Sequence, residues 1–184
     1  MTHIQKLSRF LKWVFAFIFC AWPIALFFIW FQNQSDFLAA GIGLSINNFI
    51  PGNLASQIVT PLSLTAKVWG FMVSWIPATI SMFISWYLMR LFGCYEREEI
   101  FTHRSIRYIR YVGIWMIVWA IVNPIYQILM SLTVTLGNPV GQRLITLELG
   151  TDYFRNLLTA GVVFIVAHIM QQGLKLKQDH DLTV

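Results

Sequence analysis

The chain has 184 residues, of which 57% are hydrophobic and only 11% charged, with a formal net charge of +5 and a mean hydropathy of +0.63. That composition is of a membrane protein and excludes a conventional soluble domain. The basic balance therefore reads as membrane sidedness, with no direct nucleic-acid binding.

The amino-terminal lead carries Lys6, Arg9 and Lys12 on a frame where Ile4, Leu7, Phe10 and Leu11 recur at helical spacing. Such a lead is expected to lie along the membrane interface. The uncharged run from Trp13 to Phe31 follows, and with its approach it forms a first span over about 10–31. It is too long and too rich in Trp and Phe for a signal-peptide core, and no small-residue cleavage site follows it, so it reads as a retained span. Aromatic residues near the span ends, Trp13, Trp30, Phe31, Trp69, Trp86, Tyr108 and Tyr111, read as interfacial belts.

The outer loop 32–67 contains an apolar stretch, Phe37 to Ile50, that is too short to span and stops at Pro51-Gly52. A short interfacial or re-entrant helix is expected there. The second span, 68–90, carries Ser74, Ala78, Ser81 and Ser85 at spacings of four, three and four. This small-residue stripe suits close contact with another helix of the bundle, or a dimer seam.

A polar turn over 91–110 leads to a third span, 111–136, then to the outer segment 137–155. That segment opens on the turn signal Gly137-Asn138-Pro139, with strand and short helix both open for the rest. The fourth span, 156–174, contains Gly161 and is expected to end at Gly173, leaving the tail 175–184. The fold class is thus all-α, a polytopic protein with four transmembrane helices in one bundle and a single membrane domain, 1–184. Pro23, Pro77 and Pro124 place one kink in each of the first three spans, read either as ordinary packing or as the walls of a cavity.

The sidedness follows from the charges. Lys6, Arg9, Lys12, Arg90, Arg97, Arg104, Arg107, Arg110, Lys175 and Lys177, ten of the 13 basic residues, fall on one side of this topology. Both termini are therefore expected in the cytoplasm. Cys20 and Cys94 suggest no disulfide, and Cys20 reads as a small buried side chain.

Catalytic patterns do not emerge. No acid lies within a span, the serines show no nucleophile elbow, and the glycines form no phosphate loop. His168 reads as a hydrogen-bonded histidine rather than a haem or metal ligand, and the four histidines show no metal-ligand spacing. The expectation is no enzyme, no cofactor and no metal.

The turn is the richest polar segment. Thr102 is placed to cap the next helix, Ile106 and Ile109 to face the bilayer, and Arg104, Arg107 and Arg110 to meet lipid phosphates. The acids Glu96, Glu98, Glu99, Asp179 and Asp181 offer a docking surface for a basic cytoplasmic partner.

The turn Glu99-Ile-Phe101-Thr102 with Ser105-Ile106-Arg107 and Ile109-Arg110, and the tail Gln178-Asp179-His180-Asp181-Leu182-Thr183-Val184, together resemble the motifs of a bacterial four-helix membrane family. That family is catalogued as domain of unknown function twenty-nine seventy-five. The resemblance implies four spans and brings no catalytic residue. Its members are often encoded beside a small helix-turn-helix regulator, which implies by analogy a membrane partner that holds or tunes such a regulator. The function expected is therefore a non-enzymatic membrane protein that recruits a cytoplasmic regulator. The alternative is a small-molecule permease or channel acting as a homo-oligomer, with Asn123 and the span-two hydroxyls lining its path.

Overall fold

A computed structural model describes residues 3–31, 63–136, 138, 145–147 and 150–181. Four helices account for nearly all of them: α1 (His3–Phe31), α2 (Leu64–Glu96), α3 (His103–Thr135) and α4 (Thr151–Asp181). Each is long and apolar enough to cross a membrane, and no strand occurs among the described residues. In hydrocarbon a backbone N–H has no water to bond, so an apolar run of this length satisfies itself as a helix. The expected interfacial helix over 37–50 lies outside the described residues.

The helix ends follow local chemistry. Ser63 caps α2, its hydroxyl accepting from the Ala66 N–H at 3.2 Å. Pro23, Pro77 and Pro124 sit inside α1, α2 and α3 without ending them. At the end of α3, the Asn138 N–H bonds the Thr135 carbonyl at 3.0 Å, a turn where Gly137-Asn138-Pro139 signalled one. Beyond it, residues 145–147 are neither strand nor helix.

Gly173 does not end the last helix. α4 continues to Asp181, because no left-handed turn follows Gly173 and the Leu-Lys-Leu-Lys-Gln sequence after it consists of good helix formers. The lead is likewise not a separate interfacial helix. No breaker lies between Ile4 and Pro23, so it runs straight into α1.

The helical segments group into two compact units. Unit 1 is Met1–Cys20, Ile80–Ala120 and Thr151–Val184, and unit 2 is Ala21–Thr79 and Ile121–Gly150. Within unit 1, Leu91 of α2, Ile109 of α3 and Ala167 of α4 form a buried cluster, and Phe15 of α1 stacks on Phe92 with centroids 5.7 Å apart. The backbone of α4 comes close to Gly113, with the nearest Phe164 atoms 3.5 Å from where a Cβ would stand.

Within unit 2 the centre is polar. Trp30 is fully buried, not placed in an exposed belt, and its indole N–H donates to the Ser74 hydroxyl at 2.9 Å. Ser74 in turn donates to the Gly70 carbonyl at 2.8 Å, and the Tyr126 side chain also bonds Ser74. The reason for the burial of Trp30 is Gly70: a Cβ there would stand 2.1 Å from the ring, so the missing side chain makes the slot the indole fills. Of the small-residue stripe expected on α2, Ser74 and Ala78 are buried in this unit, and of the two members in unit 1 Ser85 is buried and Ser81 half-buried.

Cys20 is exposed and Cys94 buried, the reverse of the expectation for Cys20. Cys20 falls on the outward stripe of α1, in phase with Phe10, Trp13, Phe17, Ile24 and Phe27, each more than half exposed.

These contacts set a contrast among glycines. Gly70→Ala forces a methyl into the Trp30 ring and is expected to cost about 1–3 kcal/mol. Gly161→Ala has open space at its Cβ and is expected to be neutral or to stabilise by up to ~1 kcal/mol. Thermal midpoints of the two purified variants in one detergent check the ordering.

Candidate functional site

The charged end of unit 1 is built from α1, the α2–α3 turn and α4. Gln5, Ser8, Arg9 and Lys12 recur at three- and four-residue spacing, a polar stripe continued inward by Phe15 and Phe19. Ile4, Leu7 and Phe10, the apolar side of the same lead, point outward and are more than half exposed. The polar stripe meets the end of α2: Arg9 Nε lies 2.7 Å from Glu96 Oε1, and Lys12 Nζ lies 3.2 Å from Glu96 Oε2. One turn nearer the amino terminus, Gln5 Nε2 donates to Glu98 Oε1 at 2.9 Å.

Glu96 sits beyond the 68–90 span. The hydrogen bonds from Arg9 and Lys12 hold its carboxyl below the ordinary carboxylate range.

The turn itself is tightly specified. The Glu99 N–H reaches the Cys94 carbonyl at 3.0 Å and the Glu98 N–H the Tyr95 carbonyl at 3.1 Å, the paired bonds of a Schellman ending. The left-handed position belongs to Glu98, with φ of 63°, where glycine is usual. Four residues on, Thr102 caps α3 as expected. Its hydroxyl accepts from the Ser105 N–H at 3.3 Å, while Ser105 Oγ accepts from the Thr102 N–H at 3.3 Å and donates to the Ile100 carbonyl at 2.6 Å.

Ile106 and Ile109 are buried and do not face the bilayer. Arg104, Arg107 and Arg110 take the outer side of α3, which turns the isoleucines between them toward α2 and α4. Of the three arginines, Arg110 is bonded to Gln171 of α4. The tail approaches the turn through Gln178, whose side-chain nitrogen is 3.4 Å from His103 Nε2. Asp179 and Asp181 lie in the last turn of α4, and their side chains are outside the described ones.

The structure thus gathers Glu96 and Glu98 against the lead and leaves Arg104 and Arg107 facing outward. Among the described residues Glu99 forms no ion pair, and no three His, Cys, Asp or Glu side chains converge as a metal site would require. His168 is exposed and lies 3.2 Å from Gln172 one turn along α4. Arg9 and Lys12 were read from sequence only as topology-setting charge on an interfacial lead, and Gln5 was not singled out. Their three- and four-residue spacing, out of phase with Ile4, Leu7 and Phe10, was the signal that they share an inward face.

A family model described as a protein of unknown function, DUF2975, matches residues 52–184. The chain belongs to this family. No curated protein and no solved structure matches it. The chain is accordingly a multi-pass membrane protein of the DUF2975 family, with α2, α3 and α4 inside the matched region and α1 before it.

The carboxylate between two cations sets a pH dependence. A depressed carboxyl contributes stability that is present above its ordinary pKa and is lost as pH falls through the lower folded value. Amide exchange over the lead is expected to quicken roughly two- to fivefold in Glu96→Gln at neutral pH. In the wild type the same loss of protection, taken relative to the intrinsic exchange rate at each pH, is expected on acidification below the ordinary carboxylate range, measured by hydrogen–deuterium exchange.

Proposed function

We propose that this protein is a non-enzymatic, multi-pass protein of the bacterial inner membrane, with both termini cytoplasmic. Its charged end recruits or tunes a soluble partner such as a small helix-turn-helix regulator. The observation that carries this reading is the convergence of three separate segments at one end of unit 1. The lead meets the turn through Arg9, Lys12 and Gln5, and the tail meets it through Gln178 and His103. A surface assembled from three segments of both charge signs suits selective docking, because like-charge mismatches reject wrong partners.

The geometry sorts the acids by role. A basic partner would find Glu99 without an ion pair among the described residues, and would compete with Arg9 and Lys12 for Glu96 and with Gln5 for Glu98. Glu99 is therefore the first contact in this reading. Cross-linking in native membranes, followed by purification of the tagged chain, is expected to recover a soluble partner. Glu98→Lys with Glu99→Lys is expected to lower that recovery roughly tenfold or more while leaving the chain in the membrane. Undiminished recovery from the double variant counts against recruitment through these acids.

One observation favours a permease formed by an oligomer. Gln127 Nε2 donates to Asn123 Oδ1 at 2.7 Å, a part-buried polar pair inside the apolar length of α3. In that reading Asn123→Leu alters solute flux in reconstituted vesicles, and wild-type vesicles that stay tight to small solutes remove it.

A further inference from the structure

In unit 1, α3 has two distinct faces. Ser105, Ile106, Ile109 and Val112 are buried, and Ser105 is locked into the cap of the helix. Arg104, Arg107, Tyr111 and Ile114 are exposed and follow one another at spacings of three, four and three, which places them on one stripe. Along about 15 Å of helix axis this stripe passes from guanidinium to phenol to aliphatic side chain. That is the order of a lipid leaflet read from headgroup to acyl chain.

Among the described residues the acids of the turn are not paired with the stripe, Glu99 included. Glu96 is occupied by Arg9 and Lys12, and Glu98 accepts from Gln5. Among the described residues no carboxylate lies within ion-pair distance of Arg104 or Arg107. Arg110, on the flank of the stripe, is engaged by Gln171. Two guanidiniums one turn apart are thus exposed together on a helix whose next outward residues suit hydrocarbon. Guanidinium forks match phosphate oxygens in geometry and charge.

We propose that Arg104 and Arg107 form a headgroup site for an anionic phospholipid, whose phosphate bonds the two guanidiniums while its chains run along Tyr111 and Ile114. The apolar continuation of the stripe is what selects a lipid over free phosphate: a soluble anion would use only the arginines. The site is independent of any soluble partner, so its failure and the failure of recruitment are separate results.

The test uses the full chain, purified and delipidated in an uncharged detergent, and native mass spectrometry with added phosphatidylglycerol or phosphatidylcholine. Phosphatidylglycerol is expected to stay bound where phosphatidylcholine does not. Arg104→Gln with Arg107→Gln is expected to weaken that retention roughly tenfold or more, and Arg104→Lys with Arg107→Lys less than the glutamine pair. Arg110→Gln is expected to change it less than about twofold, because Gln171 already engages that side chain. Inorganic phosphate added at constant ionic strength is expected to leave the lipid in place. Equal retention by the glutamine pair, an equal loss in Arg110→Gln, equal binding of phosphatidylcholine, or displacement by inorganic phosphate each overturns the site. If the glutamine pair loses its helical circular dichroism, the wild type decides: retention that fails to weaken between ~0.05 M and ~0.5 M salt overturns the site, and retention that weakens supports it.

Discussion

The packing of unit 2 turns on an indole set into the space of an absent side chain. Lipid tails are as apolar as leucine, so burying hydrocarbon gives helices little reason to associate in a membrane, and close fit and polar bonds must do it. Gly70 opens the surface of α2, the Trp30 ring of α1 fills that opening, and Ser74 one turn later takes the indole N–H. Tyr126 brings α3 to the same hydroxyl, which returns its own proton to the Gly70 carbonyl. A buried polar group without a partner costs free energy, and here each polar atom of the node has one. One serine therefore ties three helices, and large apolar side chains elsewhere on them are left to face outward.

Unit 1 solves the same problem with charge. Its lead is amphipathic in the sense opposite to a soluble helix, with Ile4, Leu7 and Phe10 outward and Gln5, Arg9 and Lys12 toward the end of α2. Arg9 and Lys12 thereby neutralise Glu96, where a lone carboxylate near the membrane would be costly. Because the lead consumes acid from the turn, the turn shows its arginines outward. The same pairing that fastens α1 to α2 thus leaves, among the described residues, Glu99 and the arginines of the turn as the charges that a partner or lipid meets.

The four helices were legible because length and hydropathy are properties of consecutive residues, and so were the cap at Thr102 and the inward stripe of Ser74, Ala78 and Ser85. What sequence misread was direction. In water, apolar and polar residues mark the two faces of a helix; in lipid both faces are apolar and that contrast disappears. Cys20 was assigned the wrong face for this reason, whereas Ile106 and Ile109 were read as bilayer-facing although the arginines between them mark the outer side. Trp30 failed differently, since tryptophan suits an interfacial belt and a buried slot equally, and only the opposing Gly70 decides between them. The candidate site was half legible: its acids and arginines stand out in the turn, while the partners of the acids lie more than 80 positions earlier in the chain.

Glu98 joins these strands of argument. A left-handed residue other than glycine costs roughly 1 kcal/mol, and the Schellman turn ending α2 needs only a backbone at that position. A glutamate there supplies what glycine cannot, a carboxylate that receives Gln5 beside the Arg9–Glu96 pair. The family match begins at residue 52, so Glu96 and Glu98 fall inside it, whereas Gln5, Arg9 and Lys12 come from the part of the chain before it. The strain at Glu98 is therefore held by a contact between the matched region and α1. Any ligand that draws Glu98 away from Gln5 would act on the lead and on the end of α2 at once, because one residue serves both the helix ending and the contact.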